Sequence, residues 1–156
     1  GATLLLTAWG NLRGAFATEL EPIAALKKSP LIYLSPILSN GRQSRCHAEV
    51  WFVHQDEEIF IVTWADKWKA KAMRRGLQRA RIWIGDFGPW RSANERYLAA
   101  PSLEIEGDFE TDPKMHTALV EKFAIKYKSE WRTWDKIVKD GLAKGEWVLL
   151  RYRISA

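Results

Sequence analysis

Seven lysines and arginines fall between Lys67 and Arg81, with no aspartate or glutamate among them. They follow an apolar run over residues 59–64 that gives way to Asp66. The whole chain carries only +5, so outside this segment it is net negative, and the positive charge is concentrated at one strand-to-helix junction. The start of a helix presents unpaired N–H groups and the positive end of its dipole, a place that receives phosphate. A phosphate carries about −1.5 to −2 charge near neutral pH, and lysine ammoniums offset it with charge-assisted hydrogen bonds. Lys67 and Lys69 fall in the first turn of the expected helix, with Lys71 and Arg74 further along. Cations placed there oppose the macrodipole at a cost of about 0.3–1 kcal/mol each, which a bound anion reverses. The plainer reading is a solvated basic helix face.

Other chemistry-bearing residues are sparse. His47, His54 and His116 are scattered, without a metal-ligand spacing such as HExxH. His54 is expected at an exposed turn. Cys46 is alone, which leaves no internal disulfide and no cysteine metal site. No catalytic residue can be assigned and no metal site is expected. Nine tryptophans in 156 residues are many. Each brings a large apolar area and one N–H, suited to cores, interfaces or ligand platforms. Trp51, Trp64 and Trp68 could stack on a ring system, although core or dimer packing is expected for at least two of them.

At 156 residues, 47% hydrophobic and 28% charged, the chain reads as one globular domain over 1–156. Its pI near 9.4 admits anionic ligands without choosing among them. Basic residues interleaved with Trp68 match the footprint of a nucleic-acid binder. Against that, no helix-turn-helix, zinc-finger or RNA-recognition pattern appears. The opening stretch GATLLLTAWGNLRG holds one short apolar run with no basic segment ahead of it. It is too short to cross a bilayer, and with the lone cysteine it points to a cytoplasmic protein.

The elements that must position these residues follow from patterning. Thr18 and Glu21 form a capping box for a helix over 19–28, with Leu20, Ile23, Ala24 and Leu26 on its apolar side. Residues 31–38 read as a strand, with Pro36 suited to a bulge or an edge. Asn40-Gly41 marks a hairpin turn. Residues 44–53 read as one strand, Ala48, Val50 and Phe52 on one face and His47, Glu49 and Trp51 on the other. A polar turn at 55–58, a strand at 59–64, the basic helix from Lys67 to about Gly76 and a strand at 81–87 come next. Along 103–110, Leu103, Ile105 and Phe109 alternate with Glu104, Glu106, Asp108 and Glu110, giving a solvated face or a partner for basic strands. Asp112-Pro113 opens a helix with Met115, Leu119, Phe123 and Tyr127 on its core face. A second helix over 133–142 carries Trp134, Ile137, Val138 and Leu142, and a strand over 146–154 closes the chain. There is no βαβα alternation and no GxGxxG, so a doubly wound nucleotide fold is set aside. A six- or seven-stranded antiparallel barrel with flanking helices fits, its barrel region at 18–110 and a helical pair plus closing strand at 111–156.

The order LIYLSPIL, SNGRQ, HAEVWFV, QDEE, IFIVT and ADKWKAKAMRR resembles the pyridoxamine-phosphate-oxidase-related flavin-binding split-barrel superfamily. The resemblance covers about a third of the chain closely and extends loosely to Glu110. It implies a homodimeric split barrel holding flavin mononucleotide (FMN), or a deazaflavin, between subunits, and a small flavin-dependent oxidoreductase. It implies that His47, Glu49, Val50 and Trp51 line the ring and that Thr63 bonds the phosphate or ribityl chain. Lys69 matches the lysine that touches the phosphate, and Lys67 stands where a Ser or Thr donor is common. Trp64 departs from the pattern, replacing a small residue where bulk could close the pocket or stack on a ring. Glu49 puts a carboxylate near the flavin edge. Residues 113–156 do not follow the true pyridoxamine-phosphate oxidase pattern, and no substrate-phosphate motif of that enzyme is seen. A non-catalytic dimeric split barrel, or a haem binder, is the alternative that the same fold allows.

Overall fold

A computed structural model of the chain describes residues 21–155. Among these, seven strands form one antiparallel sheet: β1 (Ile32–Pro36), β2 (Ala48–Val50), β3 (Val53–Gln55), β4 (Glu58–Trp64), β5 (Arg79–Ile84), β6 (Ser102–Glu110) and β7 (Trp147–Ile154). Their spatial order is β2-β1-β5-β6-β7-β4-β3. The two edge strands, β2 and β3, are separated in the chain only by Trp51 and Phe52. The sheet therefore curls until its ends meet along one nearly continuous segment, and the architecture is a split antiparallel barrel with flanking helices. The expected single strand over 44–53 is corrected accordingly: it is two short strands that pair with different partners, β1 and β4.

At the seam the backbone of Phe52 has no sheet partner, and a tyrosine replaces one. The Phe52 N–H donates to the Tyr127 hydroxyl at 2.9 Å, and that hydroxyl lies 2.9 Å from the Pro30 carbonyl and 3.1 Å from the Phe52 carbonyl. Tyr127→Phe leaves a buried N–H unpaired, so a loss of about 1–2 kcal/mol is expected in urea unfolding. An unchanged midpoint would show that the seam does not depend on this hydroxyl.

Helices flank the barrel: α1 (21–28), α2 (Trp68–Arg74), α3 (Pro113–Tyr127), α4 (Ser129–Arg132) and α5 (Asp135–Lys144). The Thr18 cap, Glu19 and Leu20 lie outside the described residues. On α1, Leu26 is buried and Ala25 packs against the core, whereas Ala24 is exposed, a one-residue rotation from the expected face. On α3, Asp112 accepts from the Lys114 N–H, and Leu119, Phe123 and Tyr127 are buried as expected. The helix expected at 133–142 is α5, shifted two residues toward the C-terminus, and the short α4 precedes it, set off from α3 by the positive φ of Lys128. Trp131, Val138 and Leu142 are buried there, while Trp134 and Ile137 are exposed at 38% and 42%. Pro36 ends an interior strand instead of sitting on an edge, and its carbonyl still accepts the Ser44 N–H at 2.9 Å. The turn after β1 gives positive φ to Gly41 alone, the three-residue hairpin with a glycine bulge. The strand expected at 81–87 begins at Arg79 and stops at Ile84.

The interior is filled from alternate residues of every long strand, among them Ile32, Leu34, Ile59, Ile61, Ile82, Ile105 and Leu150. Outside, Phe60, Leu149 and Trp147 pack under α3 to α5. Tyr33, Trp83 and Tyr97 pack under the 86–100 segment, which includes a 3-10 turn at Arg96–Ala99 that patterning missed. The acidic side of β6 faces basic strands: Glu104 bonds Arg79 and Arg81 at 2.8 and 2.9 Å, and Glu110 lies near Arg151, which also pairs with Glu58.

These pairs set an acid limit. The Arg151 hydrogen bond holds the Glu58 carboxyl below its ordinary range, and the Arg79 bond does the same for Glu104. A depressed carboxylate contributes stability that is present above the unfolded value of about 4.3 and is lost as pH falls through the lower folded value. The urea midpoint is therefore expected to be flat near neutrality and to fall below about pH 4.3, and Glu58→Gln to flatten that fall. An equal acid fall in the Gln variant would show that this pair does not govern it.

Candidate functional site

The strand β4 ends at Thr63 and Trp64, paired with Val148 and Trp147 of β7. The chain then turns tightly, the Ala65 N–H donating to the Glu146 carbonyl and the Lys67 N–H to the Trp64 carbonyl. Lys67 is the N-cap residue of α2, with extended backbone and no side-chain cap. The helix is only seven residues long, so its dipole is a small contributor and the lysine side chains matter more. Lys69 is the second residue of the helix, its ammonium 4.8 Å from the centre of the Trp68 ring.

A cavity of about 380 Å³ opens beside this junction. It is lined by Glu49, Val50 and Trp51 from the β2 seam, by Thr63 and Trp64 from β4, and by Lys67 and Lys69. Seven of the eight residues singled out from sequence thus share one cavity. The rest of the wall is Leu31, Val62, Trp131, Trp134, Val138 and Trp147. Five of the nine tryptophans meet here. Trp51 stacks on Tyr127 at 4.5 Å and 11°, and Trp64 leans on Trp147 at 4.6 Å and 41°. Their ring packing fixes them as walls, and Trp64, 37% exposed, rims the opening with Trp134.

The electrostatics are uneven. Burial, and then the neighbouring Lys67, push the Lys69 ammonium below its ordinary value, opposed by Glu49. Glu49 in turn accepts the Trp90 N–H at 2.9 Å, so its carboxylate is held by the 86–100 segment and faces a lysine. Two lysines and one carboxylate leave net positive charge at the polar end, opposite an aromatic wall.

His47 is not in this cavity. It lines a separate cleft of about 700 Å³ with Arg45, Trp90, Arg91 and Tyr97. Its Nε2 donates to the Ser44 carbonyl at 3.0 Å, and its Nδ1 lies 2.9 Å from the Tyr97 hydroxyl. The ring also stacks on Trp83 at 5.6 Å. His54 is not at an exposed turn: it is part of β3, opposite Ile59, with its Nε2 buried. Trp131, Trp134 and Trp147 were missed as site residues. Trp131 was legible, because it extends the four-residue spacing of Phe123 and Tyr127; Trp147 was visible only as a strand residue.

No family model and no curated protein matches the sequence. Solved structures do match the fold. A protein described as a candidate pyridoxamine 5'-phosphate oxidase from Listeria innocua aligns with a TM-score of 0.54 at 15% identity, over 86% of this chain and 90% of that one. HutZ, the haem storage protein from Vibrio cholerae, aligns at 0.56 and 14% identity, over 88% and 90%. An FAD-binding protein from Mesorhizobium loti aligns at 0.52 and 14% identity, over 88% and 89%. The chain has the split-barrel fold of the pyridoxamine-phosphate-oxidase-like proteins. Among the described residues, no helix is long and apolar enough to cross a membrane, and no group of three or more His, Cys, Asp or Glu could hold a metal ion.

Proposed function

We propose that this chain is an FMN-binding protein acting as a small flavin-dependent oxidoreductase of the cytoplasm, with a deazaflavin as the alternative cofactor. The observation that carries the reading is the cavity that collects Glu49, Val50, Trp51, Thr63, Trp64, Lys67 and Lys69 from three separate elements. The donor set suits a flavin nucleotide. Lys67 and Lys69 would hold the phosphate, Thr63 would bond the phosphate or ribityl chain, and Val50, Trp51 and Trp64 would bracket the ring. Glu49, faced by Lys69 and bonded to the Trp90 N–H, is compensated rather than stranded, which answers the cost of a lone carboxylate in such a site. The volume lies within the range of about 300–1,000 Å³ usual for small-molecule sites. When bound, the flavin supplies electron-transfer chemistry, and the chain supplies position and electrostatics.

Haem, which one fold neighbour stores, suits this cavity less well. Haem iron is held by an axial His, Cys, Met or Tyr, and none of these lines the wall among the described residues. A homodimer is part of the proposal, because Trp64, Trp134 and Ile137 leave an apolar rim that a second copy would cover. A fluorescence titration tests the reading. FMN emission is expected to be quenched saturably as the ring meets tryptophan, and Trp64→Ala to reduce the quenching. Unquenched emission throughout the titration would contradict it.

A further inference from the structure

A second cavity lies on the opposite side of the seam, between α1, β3 and α3. Its volume is about 410 Å³, and Lys27, His54, Lys122 and Lys126 line it with Leu26 and Ile125. No carboxylate lines it among the described residues. The four polar groups come from three elements, so their convergence is a product of the fold and not of one charged helix face.

Asp56 acts on the His54 imidazole from the adjoining turn, but no carboxylate pairs with the three lysines among the described residues. The Lys126 ammonium donates to the Phe52 carbonyl at 2.7 Å and sits 3.3 Å from the centre of the Phe52 ring. Lys122 donates to the Gln55 side-chain oxygen. Among the described residues, neither lysine nor Lys27 forms a salt bridge. The His54 Nε2 is buried without a hydrogen-bond partner, which costs free energy unless something supplies one. Burial pushes Lys126 down to about 8, and burial, with Lys126 and Lys27, pushes the His54 imidazole down against the opposing carbonyl and carboxylate of Asp56. A bound oxyanion would offset these costs: it would neutralise the ammoniums and, by favouring the protonated imidazole, accept a hydrogen bond from the Nε2 that now lacks a partner.

We infer that this cavity is a second anion site that takes a phosphate group through Lys27, His54, Lys122 and Lys126. The site is separate from the tryptophan-lined cavity, shares no lining residue with it, and does not depend on flavin binding. Several flexible point charges around one imidazole suit a compact multivalent oxyanion, where a fixed guanidinium fork would suit a planar carboxylate. Leu26 and Ile125 provide an apolar margin for the body of the molecule that bears the phosphate.

The test is an NMR titration with inorganic phosphate, following the His54 ring signals at constant ionic strength set with chloride. It uses the full chain carrying Lys69→Ala, so that the other cavity is weakened. Saturable movement of the His54 signals is expected, with apparent affinity at least fivefold weaker in Lys27→Gln and in Lys122→Gln. Both side chains reach the surface, so the test does not hang on the half-buried Lys126. Replacing phosphate with phosphatidylglycerol vesicles separates the two sources of the group. Co-sedimentation lost in Lys122→Gln assigns a lipid head group, and saturation without co-sedimentation assigns a soluble phosphate compound. Signals that stay fixed, that drift without saturating, or that respond equally in the Gln variants would overturn the site.

Discussion

Lys69→Ala is expected to weaken FMN binding by about 1.5–3 kcal/mol, the range for a hydrogen bond to a charged group, or roughly tenfold to a hundredfold in Kd. The lysine carries more than its neighbour because it is largely enclosed, which burial shows by lowering its proton affinity. An enclosed ammonium facing a phosphate is less screened than a solvated one. Lys67, the N-cap residue of α2, is exposed, so its removal is expected to cost less. Equilibrium dialysis against FMN for the two single variants checks the order. Equal affinities in Lys69→Ala and the parent chain would remove Lys69 from the site, while a larger loss in Lys67→Ala would reverse the assignment.

The second large effect is on the barrel. Gly107→Ala is expected to cost about 3 kcal/mol or more of stability, at the upper end of the overpacking range. A Cβ at this position would lie 2.1 Å from the Arg151 carbonyl oxygen and 2.7 Å from the Tyr152 Cα. Both are backbone atoms of β7, in the strand pair that carries the curl of the sheet, so neither can retreat without breaking the β6–β7 ladder. A glycine inside a strand at such a corner is a device for close backbone approach. Gly141 offers the control. Its Cβ would meet the Trp147 ring at 2.2 Å, and a side chain can shift where backbone cannot. Gly141→Ala is therefore expected to cost less than Gly107→Ala in urea unfolding. The reverse order would mean that the barrel corner is more plastic than its packing implies.

The fold was legible where period and turn chemistry agreed. The alternation on β6, the cap at Asp112 and the stripe through Leu119, Phe123 and Tyr127 each pointed to one answer, and the structure has all three. The seam was not legible, because residues 47–52 alternate like part of one strand. Only the pairing of its halves with β1 and β4 shows that it closes a barrel, and that pairing is non-local. The same applies to the wall of the cavity. Glu49, Thr63 and Lys69 were readable from the order of elements, but Trp131 and Trp134 arrive from a helical segment some 70 residues downstream. Trp134 was read only as one of four residues at helical spacing; it is the N-cap residue of α5 and rims the opening. His47 alternates with Glu49 in sequence but lies just before β2, and the Tyr97 hydroxyl and the Trp83 ring hold it in the neighbouring cleft.

The central claim is that the tryptophan-lined cavity holds a flavin nucleotide. Its most direct test is the absorbance spectrum of the purified chain after incubation with FMN and removal of the excess by gel filtration, read beside a thermal melt. Flavin bands retained near one equivalent per chain, with a raised Tm, are the expected result, since a ligand that binds only the folded state stabilises it. A colourless protein whose Tm does not move with FMN would contradict the claim.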